Sequence, residues 1–310
     1  MSSLRLVFAG SPAVAVPSLE ALLTSRHEVV TVVTREDAPV GRRRVLTPTP
    51  VAAHAAKAGV PVHRTNRLGD AATAHLTTLG PDLGVVVAYG GLLREPLLSM
   101  PRLGWINLHF SVLPRWRGAA PVQHAIIAGE EETGVSVFHL VPELDAGPVY
   151  ASRREPIGRC QTAGALLERL AVVGAGVLAD VVDELADGTA VARPQQGEAS
   201  YAGKLHAADG VLDWTASAVD LARLIRGVTP EPGASTTLDG ARLRIAEAAP
   251  AHERLPLAPG EVELIQGRVV VGTGDGLLEL LRVTPAGRSM MSASDWLRGR
   301  SRAERTVLGG

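Results

Sequence analysis

The chain has 310 residues, 46% of them hydrophobic and 20% charged, with a formal net charge of −1. That length predicts one large unit and a smaller one, each able to bury a core without covalent staples. The charge gives no general support for a nucleic-acid partner. The single cysteine, Cys160, excludes a disulfide framework, and the absence of a long apolar run or a signal-peptide pattern predicts a cytoplasmic protein with no membrane partner.

Leu4 to Gly10 is an apolar run ending in a turn, which predicts a strand, and apolar residues at Val16, Leu19, Leu22 and Leu23 predict a helix over Pro12 to Ser25. His27 to Arg35 reads as a second strand. The cluster Arg42-Arg43-Arg44 that follows suits either phosphate contacts or a solvated charged face. Thr49 to Ala58 predicts a helix, Val60 to Arg64 a short strand and Leu83 to Tyr89 a buried strand. Trp105 to Phe110 and Val135 to Val141 add strands at or near the centre of the sheet. A helix from Pro121 to Ala128, stopped at Gly129, lies between them. Thr162 caps a long helix ending near Ala186. This alternation predicts an α/β domain with a Rossmann-like, mostly parallel sheet covered on both faces.

From Pro194 to Gly210 periodicity disappears. The expected division is therefore a catalytic domain over 1–190, a linker over 191–209 and a second domain over 210–310. In the last, a helix near Thr215 to Arg226 precedes strands at Ala241 to Ala246, Glu261 to Ile265, Arg268 to Gly272 and Leu277 to Val283, a spacing suited to a small β-barrel or sandwich. Arg282, Arg288, Arg298, Arg300, Arg302 and Arg305 form a second basic cluster.

Several chemistries are excluded. A pyrophosphate site needs glycines where the first turn reads Gly10-Ser-Pro-Ala-Val-Ala-Val16, so NAD and FAD do not fit, although Ser11 leaves room for a polar group. Neither Lys57 nor Lys204 follows the glycines of a phosphate-binding loop. His124 and His139 lack zinc-ligand spacing, so no metal is expected. Ser111 is not in a hydrolase elbow, and no nucleophile of the protein's own is evident.

What remains is a polar group in an apolar setting. On the strand over Trp105 to Phe110, Asn107, His109 and Ser111 are expected on one face, with Leu108 and Phe110 on the other. Such residues are costly to bury unless they bond one another or line a cavity. Asp145 lies in the turn Asp145-Ala-Gly-Pro148 after a neighbouring strand, and a His at one strand end and an Asp beyond another can meet there. An Asp–His contact is expected to raise the imidazole pKa. A hydrogen-bonded core histidine and a turn-capping aspartate are the alternatives for each residue alone. Together, Asn, His and Asp suit direct transfer between two bound substrates.

The run Ser111-Val-Leu-Pro-Arg-Trp-Arg-Gly-Ala-Ala-Pro121, with Asn107 and His109 before it and Asp145-Ala-Gly-Pro148 after it, resembles the signature of the 10-formyltetrahydrofolate-dependent formyltransferases. The opening Phe8-Ala-Gly-Ser-Pro12, the loop Gly41-Arg-Arg-Arg-Val-Leu-Thr-Pro48, Lys204-Leu, Thr273-Gly-Asp-Gly-Leu277 and Thr284-Pro-Ala-Gly287 extend the likeness to the members that formylate methionyl-tRNA. The resemblance implies an OB-like C-terminal β-barrel and 10-formyltetrahydrofolate as co-substrate. It implies Asn107, His109 and Asp145 as the catalytic trio, and a folate site at Val87, Tyr89, Gly90, Leu92, Ser111, Leu113, Pro114, Val141 and Leu144. Arg42, Arg43 and Arg44 would contact initiator Met-tRNA, and a monomer is expected. Departures from the family pattern are Phe110-Ser111-Val112, the second glycine of Tyr89-Gly-Gly-Leu92 and the arginine-rich loop. Family members acting on sugar amines or glycinamide ribonucleotide are the nearest rival reading, and a non-catalytic tRNA-binding protein is the other.

Overall fold

Runs rich in valine and leucine favour strands that are covered on both faces, and they build the sheet of the first unit. The computed structural model describes residues 2–41, 43–253, 255–299 and 306–310. In chain order the elements begin β1 (Arg5–Gly10), α1 (Val16–Leu23), β2 (Glu28–Thr34), β3 (Ala38–Val40), β4 (Val45–Thr47), α2 (Pro50–Lys57), β5 (Val62–Arg64), α3 (Asp70–Thr78) and β6 (Leu83–Val87). They continue with β7 (Trp105–His109), β8 (Arg117–Gly118), α4 (Pro121–Ile127), β9 (Glu132–His139), β10 (Val149–Pro156), α5 (Ala163–Asp187) and β11 (Tyr201–Ala202).

The chain packs as two units: Met1–Pro121 with Glu132–Pro156 and Leu167–Ala202, and Val122–Glu131 with Ile157–Leu166 and Gly203–Gly310. The first holds a sheet of order β10-β9-β7-β6-β1-β2-β5. The pairs from β7 through β6, β1 and β2 to β5 are parallel, while β9 is antiparallel to both β7 and β10. Val7, Ala9, Val33, Val86 and Trp105 share one buried cluster with Leu76 and Tyr89. Full burial of a large apolar side chain contributes about 1.5–3 kcal/mol, so this cluster is a main support of the sheet. Local signals place the helices. Thr49 caps α2 by accepting from the Ala52 N–H at 3.0 Å, and Pro50 occupies its first turn.

The stretch expected as a linker is paired within the first unit as far as Ala202. Arg193 exchanges two backbone hydrogen bonds with Val149, and β11 lies parallel to β8.

The second unit contains α6 (Ala218–Gly227), β12 (Ala234–Leu238), β13 (Ala241–Ala251), β14 (Val262–Ile265), β15 (Arg268–Gly272), β16 (Leu277–Pro285), β17 (Met291–Ser292) and α7 (Ala293–Arg298). Its antiparallel sheet has the order β12-β13-β16-β15-β14, with β17 on β16. Leu221 and Ile225 of α6 pack with Ile245, Val269, Leu278 and Trp296 in its core. Gly164 donates its N–H to Thr229 O at 3.0 Å, tying the start of α5 into this unit. Among the described residues, no helix is long and apolar enough to cross a membrane.

Candidate active site

β7 is buried between β6 and β9, and its alternation divides the polar from the apolar positions. Leu108 packs where Gly174 of α5 has no side chain. Asn107 and His109 take the other face. The strand ends at His109, so Ser111 does not project beside them as expected but turns inward beyond the strand. Its hydroxyl donates to Arg115 O at 2.6 Å, and its carbonyl accepts from Ser136 Oγ at 2.8 Å. Ser111 therefore closes the 111–115 turn and ties it to β9.

The turn that follows supplies the groups that hold the histidine. Trp116 has φ +59° and presents its carbonyl to His109 Nε2 at 2.9 Å, while its N–H donates to Ser200 Oγ at 2.9 Å. Gly118 has φ +121°, and a Cβ there would lie 2.6 Å from Ala202 O, so only glycine allows this backbone to close on β11. Its N–H donates to Asp145 Oδ2 at 2.7 Å.

Asp145 reaches the site by a route that differs from the expectation. Because β9 runs antiparallel to β7, with Ile106 opposite His139 and His109 opposite Ser136, the chain leaves β9 at the far end of β7 from His109. Leu140 and His139 are tied by hydrogen bonds to Trp105 O and Pro148 O, and the intervening loop turns back to bring Asp145 to the histidine. At Gly147 a Cβ would fall 1.7 Å from His139 O, which makes glycine necessary for the return. Asp145 itself has φ +46°, a conformation that short polar side chains tolerate better than most.

His109 Nδ1 and Asp145 Oδ2 lie 3.8 Å apart, both side chains largely buried. The Trp116 carbonyl can only accept, so the neutral ring carries its proton on Nε2 and leaves the Nδ1 lone pair facing the carboxylate. Burial pushes the His109 pKa below its ordinary 6.5, against the opposing pull of the Asp145 charge and the Trp116 carbonyl. Asp145 acts upward as expected, but the net shift is downward: at 3.8 Å the carboxylate makes no hydrogen bond with the ring, and desolvation outweighs its charge. Phe138 packs edge-on to the imidazole, with ring centroids 6.4 Å apart. Asn107 is half-buried, and its amide has no hydrogen-bond partner among the described residues. One face of β7 therefore presents an uncommitted amide and a neutral imidazole whose Nδ1 faces a carboxylate.

Residues outside both motifs complete the arrangement. Gln195 Nε2 donates to Asp145 O at 2.8 Å and Gly147 O at 2.9 Å, and its Oε1 accepts from Arg117 Nη2 at 2.6 Å and Nε at 3.1 Å. Sequence reasoning misses Gln195 because it lies in a stretch without periodicity. It also misses Ser200, the Trp116 carbonyl and the Gly118 N–H, since residue type alone says nothing about where a backbone group points.

The other expected positions separate into groups. Val86 pairs with Asn107, so the turn containing Tyr89, Gly90 and Leu92, directly after Val87, leaves the sheet beside the site. Tyr89 gives that turn only its backbone, because its ring is buried in the core and its hydroxyl donates to Thr65 O at 2.9 Å. Gly90 has φ +77° and its carbonyl accepts from Arg35 Nη2 at 2.6 Å. Val141 and Leu144 lie on the loop to Asp145, and Leu92 and Leu144 are exposed. Leu113 and Pro114 are buried. Ser11, considered for a polar ligand, instead joins the ends of three strands through the Tyr89 carbonyl, Thr34 and the Arg35 N–H. Arg43 and Arg44 occupy the exposed tip of the hairpin formed by β3 and β4. Arg42, Arg300, Arg302 and Arg305 lie outside the described residues.

The formyl transferase family matches residues 4–182, and the formyl transferase C-terminal domain matches residues 204–301. The chain belongs to the formyl transferase family. It is a one-carbon group transferase. The methionyl-tRNA formyltransferase of Clavibacter sepedonicus is 57% identical over 296 residues, covering 96% of this chain and 97% of the relative. Among solved structures, the N-formyltransferase from Helicobacter canadensis in complex with folinic acid and dTDP-3-aminofucose has a TM-score of 0.68 at 17% identity, covering 89% of this chain and 98% of that one. The methionyl-tRNA formyltransferase from Clostridium thermocellum has a TM-score of 0.59 at 14% identity, covering 81% and 95%. These two establish a shared fold. β7, the 115–118 turn and the returning 140–147 loop all lie within the residues that the formyl transferase family matches.

Proposed function

We propose that this enzyme transfers the formyl group of 10-formyltetrahydrofolate to the α-amino group of methionyl-tRNA, acting in the cytoplasm as a monomer. The observation that carries the substrate choice is the 57% identity to a relative of that name across nearly the whole length of both chains. Likeness to the sugar-amine enzyme is confined to fold, at 17% identity. Folate would lie against the 87–92 turn and the 141–144 loop. The Arg43 and Arg44 hairpin and the second unit would engage tRNA, with Arg42 expected to join the hairpin's contacts.

In this mechanism the methionyl amine attacks the formyl carbon and the carbonyl oxygen becomes an oxyanion. The Asn107 amide, uncommitted in the protein alone, donates to that oxyanion, a contribution of about 3 kcal/mol for a well-placed donor. Nδ1 of neutral His109 takes the proton that the attacking nitrogen loses. The resulting imidazolium is stabilised by Asp145 and lies next to the oxyanion. Nδ1 then returns the proton to N10 as the carbon–N10 bond breaks, so protons balance without an external acid. Most of the acceleration comes from positioning and from the buried electrostatics of the trio.

The test offers 10-formyltetrahydrofolate with methionyl-tRNA, a dTDP-amino sugar or glycinamide ribonucleotide in parallel. Formylation of methionyl-tRNA with little turnover of the other two supports the proposal. Preference for either small amine overturns it.

A further inference from the structure

The turn that carries Asp145 and the turn that holds His109 are joined by one side chain that belongs to neither sequence motif. We propose that Gln195 is a positioning residue for formyl transfer, fixing Asp145 relative to His109 by gripping the Asp145 turn while Arg117 grips Gln195. This rests on the formyl-transfer reading above.

Both amide protons of Gln195 are used, on Asp145 O and Gly147 O, and both lone pairs of its oxygen accept from Arg117. The carboxamide consequently has one workable orientation. A flip would set its oxygen against two carbonyls and its NH2 against a guanidinium. Its backbone is anchored on both sides: Arg193 pairs with Val149, and Ser200 and Ala202 hydrogen-bond the 116–120 segment. The adjacent Gln196 is exposed, so this is a property of one position and not of a polar stretch.

The segment being held requires holding. Asp145 is a non-glycine residue at φ +46°, and its carboxylate is tied to the neighbouring turn through the Gly118 N–H. Its 3.8 Å separation from Nδ1 lies just beyond hydrogen-bond range, so a displacement of under about 1 Å would change the interaction in kind. Arg117 sits between Trp116, which accepts from His109, and Gly118, which donates to Asp145. The bond from Arg117 to Gln195 thus closes a loop from the histidine's support to the aspartate's backbone.

The test compares the intact protein with Gln195→Met, Gln195→Glu, Arg117→Ala and the Arg117→Ala/Gln195→Met pair in steady-state formylation of methionyl-tRNA. Thermal melting and tetrahydrofolate binding verify the fold. For Gln195→Met, kcat is expected to fall about tenfold to a hundredfold, with KM for both substrates within about twofold. The acid limb of its pH profile should move to lower pH as Asp145 moves away from His109. Gln195→Glu should be worse than Gln195→Met, because it keeps Arg117 but turns an oxygen towards two carbonyls. Adding Arg117→Ala to Gln195→Met should cause no further loss. If Gln195→Met does not fold, Arg117→Ala leaves the glutamine in place and should still lower kcat without changing KM.

An unchanged kcat in Gln195→Met, a milder effect for Glu than for Met, or additive losses would overturn the proposal alone, with the wild type still active. A wild type inactive towards methionyl-tRNA overturns the substrate reading and the positioning role with it.

Discussion

His109 and Asp145 are held 3.8 Å apart by opposite ends of one short turn: His109 Nε2 donates to the Trp116 carbonyl, and Asp145 accepts from the Gly118 N–H. The same backbone therefore fixes the imidazole's tautomer and the carboxylate's position. Nδ1, which faces the carboxylate at 3.8 Å, is left as the ring atom available for proton exchange.

Burial keeps His109 neutral to lower pH than an ordinary histidine, so the acid limb of kcat/KM should lie below pH 6.5. The sign follows from desolvation, which favours the uncharged ring. Asp145→Asn removes the charge that favours the imidazolium and should move this limb lower still, with kcat reduced by about 10²–10⁴. A pH–rate profile for each protein measures both effects. A limb above pH 6.5, or one moved upward by Asp145→Asn, would contradict the electrostatic account.

Gly118→Ala forces a side chain into a φ of +121° with its Cβ 2.6 Å from Ala202 O. The expected loss of stability is about 1–3 kcal/mol, read from the urea midpoint at unchanged slope. Formylation should fall further than unfolding explains, because the N–H held by Asp145 moves with the backbone.

Arg43→Ala and Arg44→Ala should raise KM for tRNA. Each should also flatten the dependence of log affinity on log salt by about 0.7–0.9 for every phosphate that the arginine neutralises. Filter binding of methionyl-tRNA across a salt series measures the slope. Slopes equal to that of the wild type would remove the hairpin tip from the RNA-binding surface.

Much of the first unit is legible in its sequence because strands covered on both faces write themselves as near-continuous apolar runs, as in Leu83–Val87 and in the valines on either side of Thr31 in β2. Elements without that signature are not. α3 buries only Ala72 and Leu76, and β12 buries Ser235 and Thr236, whose residue types do not announce a core. β10 is an edge strand with alternating exposure only in part, and Arg153 and Arg154 conceal it. The trio of Asn107, His109 and Asp145 is visible in the motifs, but Ser111 falls beyond the strand end. The antiparallel course of β9, which decides how Asp145 returns, leaves no mark in residue spacing. The direction of the His109 shift eludes sequence reasoning for a related reason: residue types show the opposite charge but not the degree of burial.

The most direct test of the central claim is a single-turnover measurement. Enzyme in excess is mixed with methionyl-tRNA and formyl-labelled 10-formyltetrahydrofolate, for the wild type and for His109→Ala, alongside tRNA affinity for each. The account predicts rapid label transfer to the methionyl amine by the wild type, a loss of at least about 10²-fold in His109→Ala, and tRNA affinity within about twofold. Transfer by His109→Ala at the wild-type rate would contradict it.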